Sequence, residues 1–157
     1  MEKPECKVKE DDKVIVISNK YPKAKFHYLQ IKKHHQDLIM HMHNVACDLA
    51  KNHVDHDFIM GYHALPSMFR LHLHVVSTDF DSPYLKNKKH WNFFITPFFL
   101  HSSDICYQLH YEGNIKKEIQ WKYVDYLRKT ELKCHKCLMQ PKNMPDLKRH
   151  LLAHINK

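Results

Sequence analysis

Gly61 and Gly113 are the only glycines in this chain of 157 residues. That scarcity excludes a glycine-rich phosphate cradle of the P-loop or dinucleotide type, which needs several. Long apolar runs are missing too. The most apolar stretch, Phe93 to Leu100, is too short to span a bilayer and is interrupted by Pro97, so no membrane partner is expected. The first residues, Met1-Glu2-Lys3-Pro4-Glu5, carry no apolar segment of a secretory signal, which points to an intracellular protein. Acidic residues are outnumbered, 17 against 25 lysines and arginines, and the net charge of +8 favours an anionic partner. Nucleic acid comes before membrane here, because no basic amphipathic helix stands out. Cysteines are few: Cys6, Cys47 and Cys106 are scattered, whereas Cys134 and Cys137 form a close pair. Such usage fits a reducing compartment and a metal site better than a disulfide framework.

What is present reads as one α+β core with a small appendage. Met1–Asp12 is polar and charged and is expected to be a loose arm. Lys13–Ser18 and Phe26–Ile31 read as paired strands, with a turn at Tyr21-Pro22-Lys23. Leu38, Ile39, Met42, Val45, Ala46 and Leu49 recur at helical spacing, so a helix covers the sheet there, with His41 and His43 on its surface. Phe58–Tyr62 and Leu71–Ser77 are two further strands. Lys86–Trp91 is basic, aromatic and turn-rich, and Ser103–Tyr111 is a short helix stopped by Gly113. Trp121–Leu127 fits strand or helix equally. At Lys133 the composition changes and a second module begins.

The stretch Arg70-Leu71-His72-Leu73-His74-Val75-Val76 carries the most chemistry. Period two places Arg70, His72 and His74 on one face of a strand and buries Leu71, Leu73 and Val75 on the other. Two imidazoles so placed can act on one phosphate, one as nucleophile and one as hydrogen-bond donor to the developing charge. With Gly61-Tyr62-His63-Ala64-Leu65-Pro66-Ser67 upstream and Ser77-Thr78-Asp79-Phe80-Asp81-Ser82-Pro83-Tyr84-Leu85-Lys86-Asn87-Lys88-Lys89-His90-Trp91-Asn92 downstream, this string resembles the histidine-triad family, and within it the aprataxins.

The resemblance implies an antiparallel sheet with helices, and a covalent histidine–AMP intermediate formed on His72, the middle triad position, with His74 steadying the phosphate oxygens. Arg70 stands where the family has its first triad histidine, and a guanidinium there could also reach phosphate. The resemblance assigns His27 and His63 as further active-site histidines and Ser67 as a phosphate contact. It places Ile17, Asn19 and Lys20 at the nucleotide, Asn19 standing where the family has a ribose-gripping aspartate. Lys23, Lys25, Lys86, Lys88 and Lys89 fall on the DNA side, with Trp91 packing beneath the lysine loop.

The terminal module has Cys134 and Cys137, then His150 and His154, the spacing C-x2-C-x12-H-x3-H of a zinc finger. Two thiolates and two imidazoles one turn apart close a tetrahedral shell around one structural zinc ion and leave no open position for catalysis. Leu138, Leu147 and Leu151 are expected as its core and His135 as an exposed bystander. The resulting organisation is a flexible arm over 1–12, a histidine-triad catalytic domain over 13–130 and a zinc finger over 131–157, with no room for a forkhead-associated domain. The resemblance implies a DNA deadenylase that takes nicked or 5′-adenylated ends, releases AMP and works in the nucleus of a eukaryote or otherwise in the cytoplasm. A general hydrolase of small adenylates and an inactive DNA-binding module are the alternatives. The first is opposed by the finger and lysine loop, the second is motivated by Arg70 and Asn19.

Overall fold

The computed structural model describes residues 7–19, 21, 23–32, 37–65, 71–113, 115 and 121–155, with 27–32, 121–123 and 128 described by their backbone alone. Six strands, β1 (Lys7–Glu10), β2 (Val14–Ser18), β3 (His27–Lys32), β4 (Phe58–His63), β5 (His72–Ser77) and β6 (Phe99–His101), form one sheet in the order β1-β2-β3-β5-β4-β6. Every pairing is antiparallel. The helices are α1 (Leu38–Lys51), α2 (Lys88–Ile95), α3 (Ser102–Glu112), α4 (Trp121–Lys129) and α5 (Met144–Ile155).

Both faces of the sheet are covered, which is why all six residues of β5 are buried. On one face α1 lays down its stripe of Leu38, Met42, Val45, Ala46 and Leu49 against Val14, Val16, Leu73 and Val75, with Ile105 of α3 closing the layer. On the other, Val76 packs with Phe80, Leu85, Trp91, Phe94 and Phe99, and the same cluster continues into Leu132, Cys134, Leu147 and Leu151 of the terminal module. At about 25 cal/mol per Å² of apolar surface, such a two-sided core is the main stabilising term. The module and the residue leading into it are also pinned by hydrogen bonds: Trp91 Nε1–H donates to the Lys133 carbonyl (2.9 Å), Asn92 Nδ2–H to the Thr130 carbonyl (2.7 Å) and Lys148 Nζ to the Ser82 carbonyl (2.9 Å).

Several expectations need correction. The supposed loose arm contains β1, whose four exposed residues pair with β2. Its turn is closed by Asp11, whose carboxylate accepts the Lys13 and Val14 N–H groups, and His41 of α1 reaches the same carboxylate at 2.9 Å. Leu71 lies outside β5 and is 38% exposed. The lysine-rich turn becomes α2 from Lys88, because the Asn87 side chain caps it by accepting the His90 N–H (2.9 Å). Trp121–Leu127 is helical, and α4 buries Val124 and Leu127 one turn apart against Phe98. Gly113 stops α3 in the left-handed conformation, φ +69°, as a glycine C-cap does.

Candidate active site

Strand register builds the site. His74 on β5 stands opposite Leu29 on β3 and Gly61 on β4, and His72 stands opposite Ile31. Residues directly opposite in an antiparallel pair share a face, so both histidines lie on the face away from α1. Ile17 belongs to the same row, since β2 pairs it with Leu29. His27 takes the backbone position opposite Val76, in the same alternation.

The His72 and His74 rings sit edge to face with centroids 5.0 Å apart, and each residue is 5% exposed. His63, the last residue of β4, tilts against His74 at 4.2 Å. Three imidazoles thus run in a row from β5 onto β4. Phenylalanines wall the row at the His63 end, Phe94 at 5.0 Å and Phe98 at 5.5 Å among them. Burial in that wall, together with the charge of His72, drives the His63 pKa down to about 3. His63 is therefore neutral at any working pH, and its buried Nε2 has no hydrogen-bond partner among the described residues. Sequence reasoning singled out His63 but not its aromatic wall, whose members are consecutive enough to read as ordinary core.

Gly61 makes the wall possible. A Cβ there would stand 2.3 Å from the Leu100 carbonyl oxygen and 2.7 Å from the Phe99 ring. Only a residue without a side chain lets β6 and Phe99 lie this close to β4.

Beyond the histidines lies a basic cluster. Burial and then Lys86 hold the Lys23 ammonium below the usual lysine range. Burial and then Lys23, with further contributions from Lys89 and Lys86, keep His90 below the ordinary imidazole value. Three lysines from two separate segments therefore converge on one ring, next to the edge-on pair Tyr21 and Tyr84 at 5.6 Å. Lys89 stands 5.5 Å over the Phe93 ring, and Phe93 is 5.6 Å from His63, which joins the cluster to the histidine row. Two expected members go elsewhere. Lys88 pairs with Glu131 at 2.9 Å, and the Lys25 ammonium lies 5.8 Å over Phe26. Asn19 uses its side-chain oxygen to accept the Tyr21 N–H at 2.9 Å, closing the turn before Lys23. Lys20, Ser67 and Arg70 lie outside the described residues, as does the side chain of His27.

In the terminal module the donor atoms of Cys134, Cys137, His150 and His154 all lie within 4.8 Å of one another. The pairs Cys134–His154, Cys137–His150 and His150–His154 are separated by 3.5, 3.1 and 3.1 Å. Those are close to the edges of a tetrahedron, about 3.3–3.8 Å, built from Zn–S of about 2.3 Å and Zn–N of about 2.0 Å. Leu138 is 100% exposed and takes no part in the core, where Leu132 stands instead. His135 is no bystander either. Its ring packs on Phe80 and Trp91 at 5.3 and 5.4 Å, and burial first, then Lys136, lowers its pKa to about 4. It lines a cavity of about 660 Å³ that shares Phe94 and Phe99 with the histidine row but includes none of the three imidazoles.

A family model described as scavenger mRNA decapping enzyme C-term binding matches residues 1–90, and a zinc-binding finger model of the C2HE / C2H2 / C2HC type matches residues 95–157. The finger holds one structural zinc ion through Cys134, Cys137, His150 and His154. Aprataxin of Danio rerio is 40% identical over 99% of this chain and 51% of its own length. Aprataxin of Gallus gallus is 40% identical over 100% of this chain and 53% of its own length. The chain spans about half the length of these curated relatives. A crystal structure of the aprataxin ortholog Hnt3 in complex with DNA superposes with a TM-score of 0.68 over 95% of this chain and 86% of that one, at 24% identity, which establishes the shared fold.

Proposed function

Because this chain belongs to the family described as scavenger mRNA decapping enzyme C-term binding, as an aprataxin-like member of the histidine-triad superfamily, we propose that it removes AMP from 5′-adenylated DNA ends. The observation that carries this reading is the unbroken line of contacts from Lys89 through Phe93 and His63 to His74 and His72. A small-adenylate hydrolase has no need of a lysine cluster leading into its histidines. An enzyme acting on a strand end does, since phosphate neutralisation supplies most of the affinity for a duplex.

In this reading His72 attacks the adenylate phosphorus. A nitrogen–phosphorus bond forms, the pyrophosphate P–O bond breaks, and the strand leaves with a 5′-phosphate. Water then cleaves the phosphoramidate, releasing AMP and restoring His72. His74, a neighbour within one ring's reach, donates to the non-bridging oxygens. His63 is neutral and backs His74, so it acts by orientation and hydrogen bonding rather than by carrying charge. His72 is only 5% exposed, so bulk water has little access to its ring. Residues 13–130 serve as the catalytic unit and residues 131–157 as a finger that positions it on the backbone, reading little sequence. The nucleus is the expected place of action in a eukaryotic cell.

The test is to incubate the protein with a nicked duplex carrying a labelled 5′-adenylate. Labelled AMP should appear, a His72 adduct should be trapped on quenching, and the substitution His72→Ala should abolish both. Competition with a dinucleotide polyphosphate separates the two enzymatic readings: adenylated DNA should win by a wide margin. AMP release from His72→Ala at the parent rate overturns the proposal.

A further inference from the structure

On the opposite face of the sheet, between α1 and α3, lies a group of side chains that the deadenylation chemistry does not use. His43 and Cys47 are one turn apart on α1 and therefore share a face. His43 Nε2 is 3.6 Å from Cys47 Sγ, and its Nδ1 is 2.9 Å from the hydroxyl oxygen of Ser102, the first residue of α3. Ser102 is 1% exposed, so its hydroxyl is cut off from bulk water and serves to fix the ring. Nucleophile, base and orienting group stand in the order that activated thiols require.

Two further groups belong to the same layer. Cys106, one turn beyond Ser102, is buried, and burial first and Cys47 second push its thiol up, which keeps it inert. Tyr62 is 7% exposed, and its phenol, close enough to Cys106 to feel its charge, has no hydrogen-bond partner among the described residues. The group is not a metal site, because the finger is the only set of three or more metal-ligating side chains within bonding reach among the described residues.

We propose that Cys47 is a modification site, a nucleophilic thiol served by His43 as base that exchanges with small-molecule disulfides. In the tautomer with hydrogen on Nδ1, His43 donates to Ser102 and Nε2 takes the thiol proton. The Cys47 sulfur attacks one sulfur of the disulfide, a new S–S bond forms, the old one breaks, and the departing thiolate recovers the proton from His43. Cys47 is half-buried on the helix that covers β5, so the adduct loosens α1 against the sheet beneath the catalytic strand.

Zinc-loaded full-length protein is exposed to glutathione disulfide and the adducts are mapped by peptide mass. Cys47 should gain one glutathionyl group at least about tenfold faster than Cys106, and faster than the same Cys47 in urea-unfolded chain. His43→Gln should slow it about tenfold and Ser102→Ala by less, both variants keeping one zinc and the parent melting profile. Adducts that form first on Cys106 or on the finger overturn the proposal. So does a native Cys47 no faster than the unfolded one, or a His43→Gln rate equal to the parent's.

Discussion

Replacing Gly61 by alanine adds one methyl group at the tightest point of the sheet. That carbon would lie 2.3 Å from the Leu100 carbonyl oxygen, whereas ordinary contact begins near 3.4 Å, so β6 has to retreat by about an ångström. Backbone cannot swing aside as a flexible side chain can, and the Phe99 ring, 2.7 Å from the same carbon, must shift with it. Overpacking of this kind costs about 1–3 kcal/mol, and about 2–4 °C of melting temperature goes with each kcal/mol in a chain of this size. The expected fall is therefore about 2–12 °C. Function should suffer more than stability, because Phe99 walls His63 and His74, and a displacement of about 1 Å near reacting groups can cost about a hundredfold in rate. Thermal unfolding and AMP release from an adenylated nick measure the two effects. Gly113→Ala is the control. It strains a left-handed cap but meets nothing within 4 Å, so it should lower stability by about 1 kcal/mol and leave turnover alone. A Gly61→Ala protein that melts within about 1 °C of the parent and releases AMP equally fast refutes the packing argument.

Other perturbations follow from the same geometry. His63 has a folded pKa of about 3 against 6.5 when unfolded, so the unfolded chain binds the extra proton first on acidification. Its contribution to stability is complete above about pH 6.5 and is lost as pH falls towards about 3. His63→Gln should flatten that decline in urea midpoints, with His135 supplying a remainder of the same sign, and an unchanged slope counts against the assignment. Chelating the zinc should disturb more than the finger, because Leu132, Cys134, Leu147 and Leu151 share a core with Trp91 and Phe94. Trp91 fluorescence and amide exchange in α2 should change together with metal loss, and a native α2 in the metal-free protein would contradict this. Lys86→Ala and Lys89→Ala should each weaken DNA binding and reduce the slope of log affinity against log salt by about one, whereas Lys88→Ala, already paired with Glu131, should do less. Equal slopes for all three variants would dissolve the distinction between the cluster and its neighbour.

The difference between what could and could not be read from the residues has a physical pattern. His72 and His74 were legible because alternation within one strand needs no partner to define a face. Joining His63 to them needs the register of β4 on β5, a long-range pairing for which the local sequence carries no signal beyond family resemblance. β1 is invisible in the sequence because Lys7-Val8-Lys9-Glu10 is held at an exposed edge by backbone pairing, so no apolar face advertises it. The α4 segment is ambiguous in sequence because Trp121, Tyr123 and Tyr126 mimic a strand's composition. What settles it is that Val124 and Leu127 meet Phe98 from one side of a helix.

The terminal module shows the same limit at its sharpest. Spacing predicts which four side chains meet the metal, since the ion dictates their separation. It does not predict what the rest of the module leans on. A finger standing alone would bury Leu138 and expose His135, and that is the expectation the sequence raises. Here Leu138 is bare and His135 is turned in against Phe80 and Trp91, because α2 and the segment before it supply the surface that a free finger would have to build for itself. The ion therefore organises one end of a core whose other end is the wall of the histidine row, Phe94 and Phe99 belonging to both. Metal loss and active-site disorder should accordingly occur as one transition, followed by chelator titration with AMP release as readout.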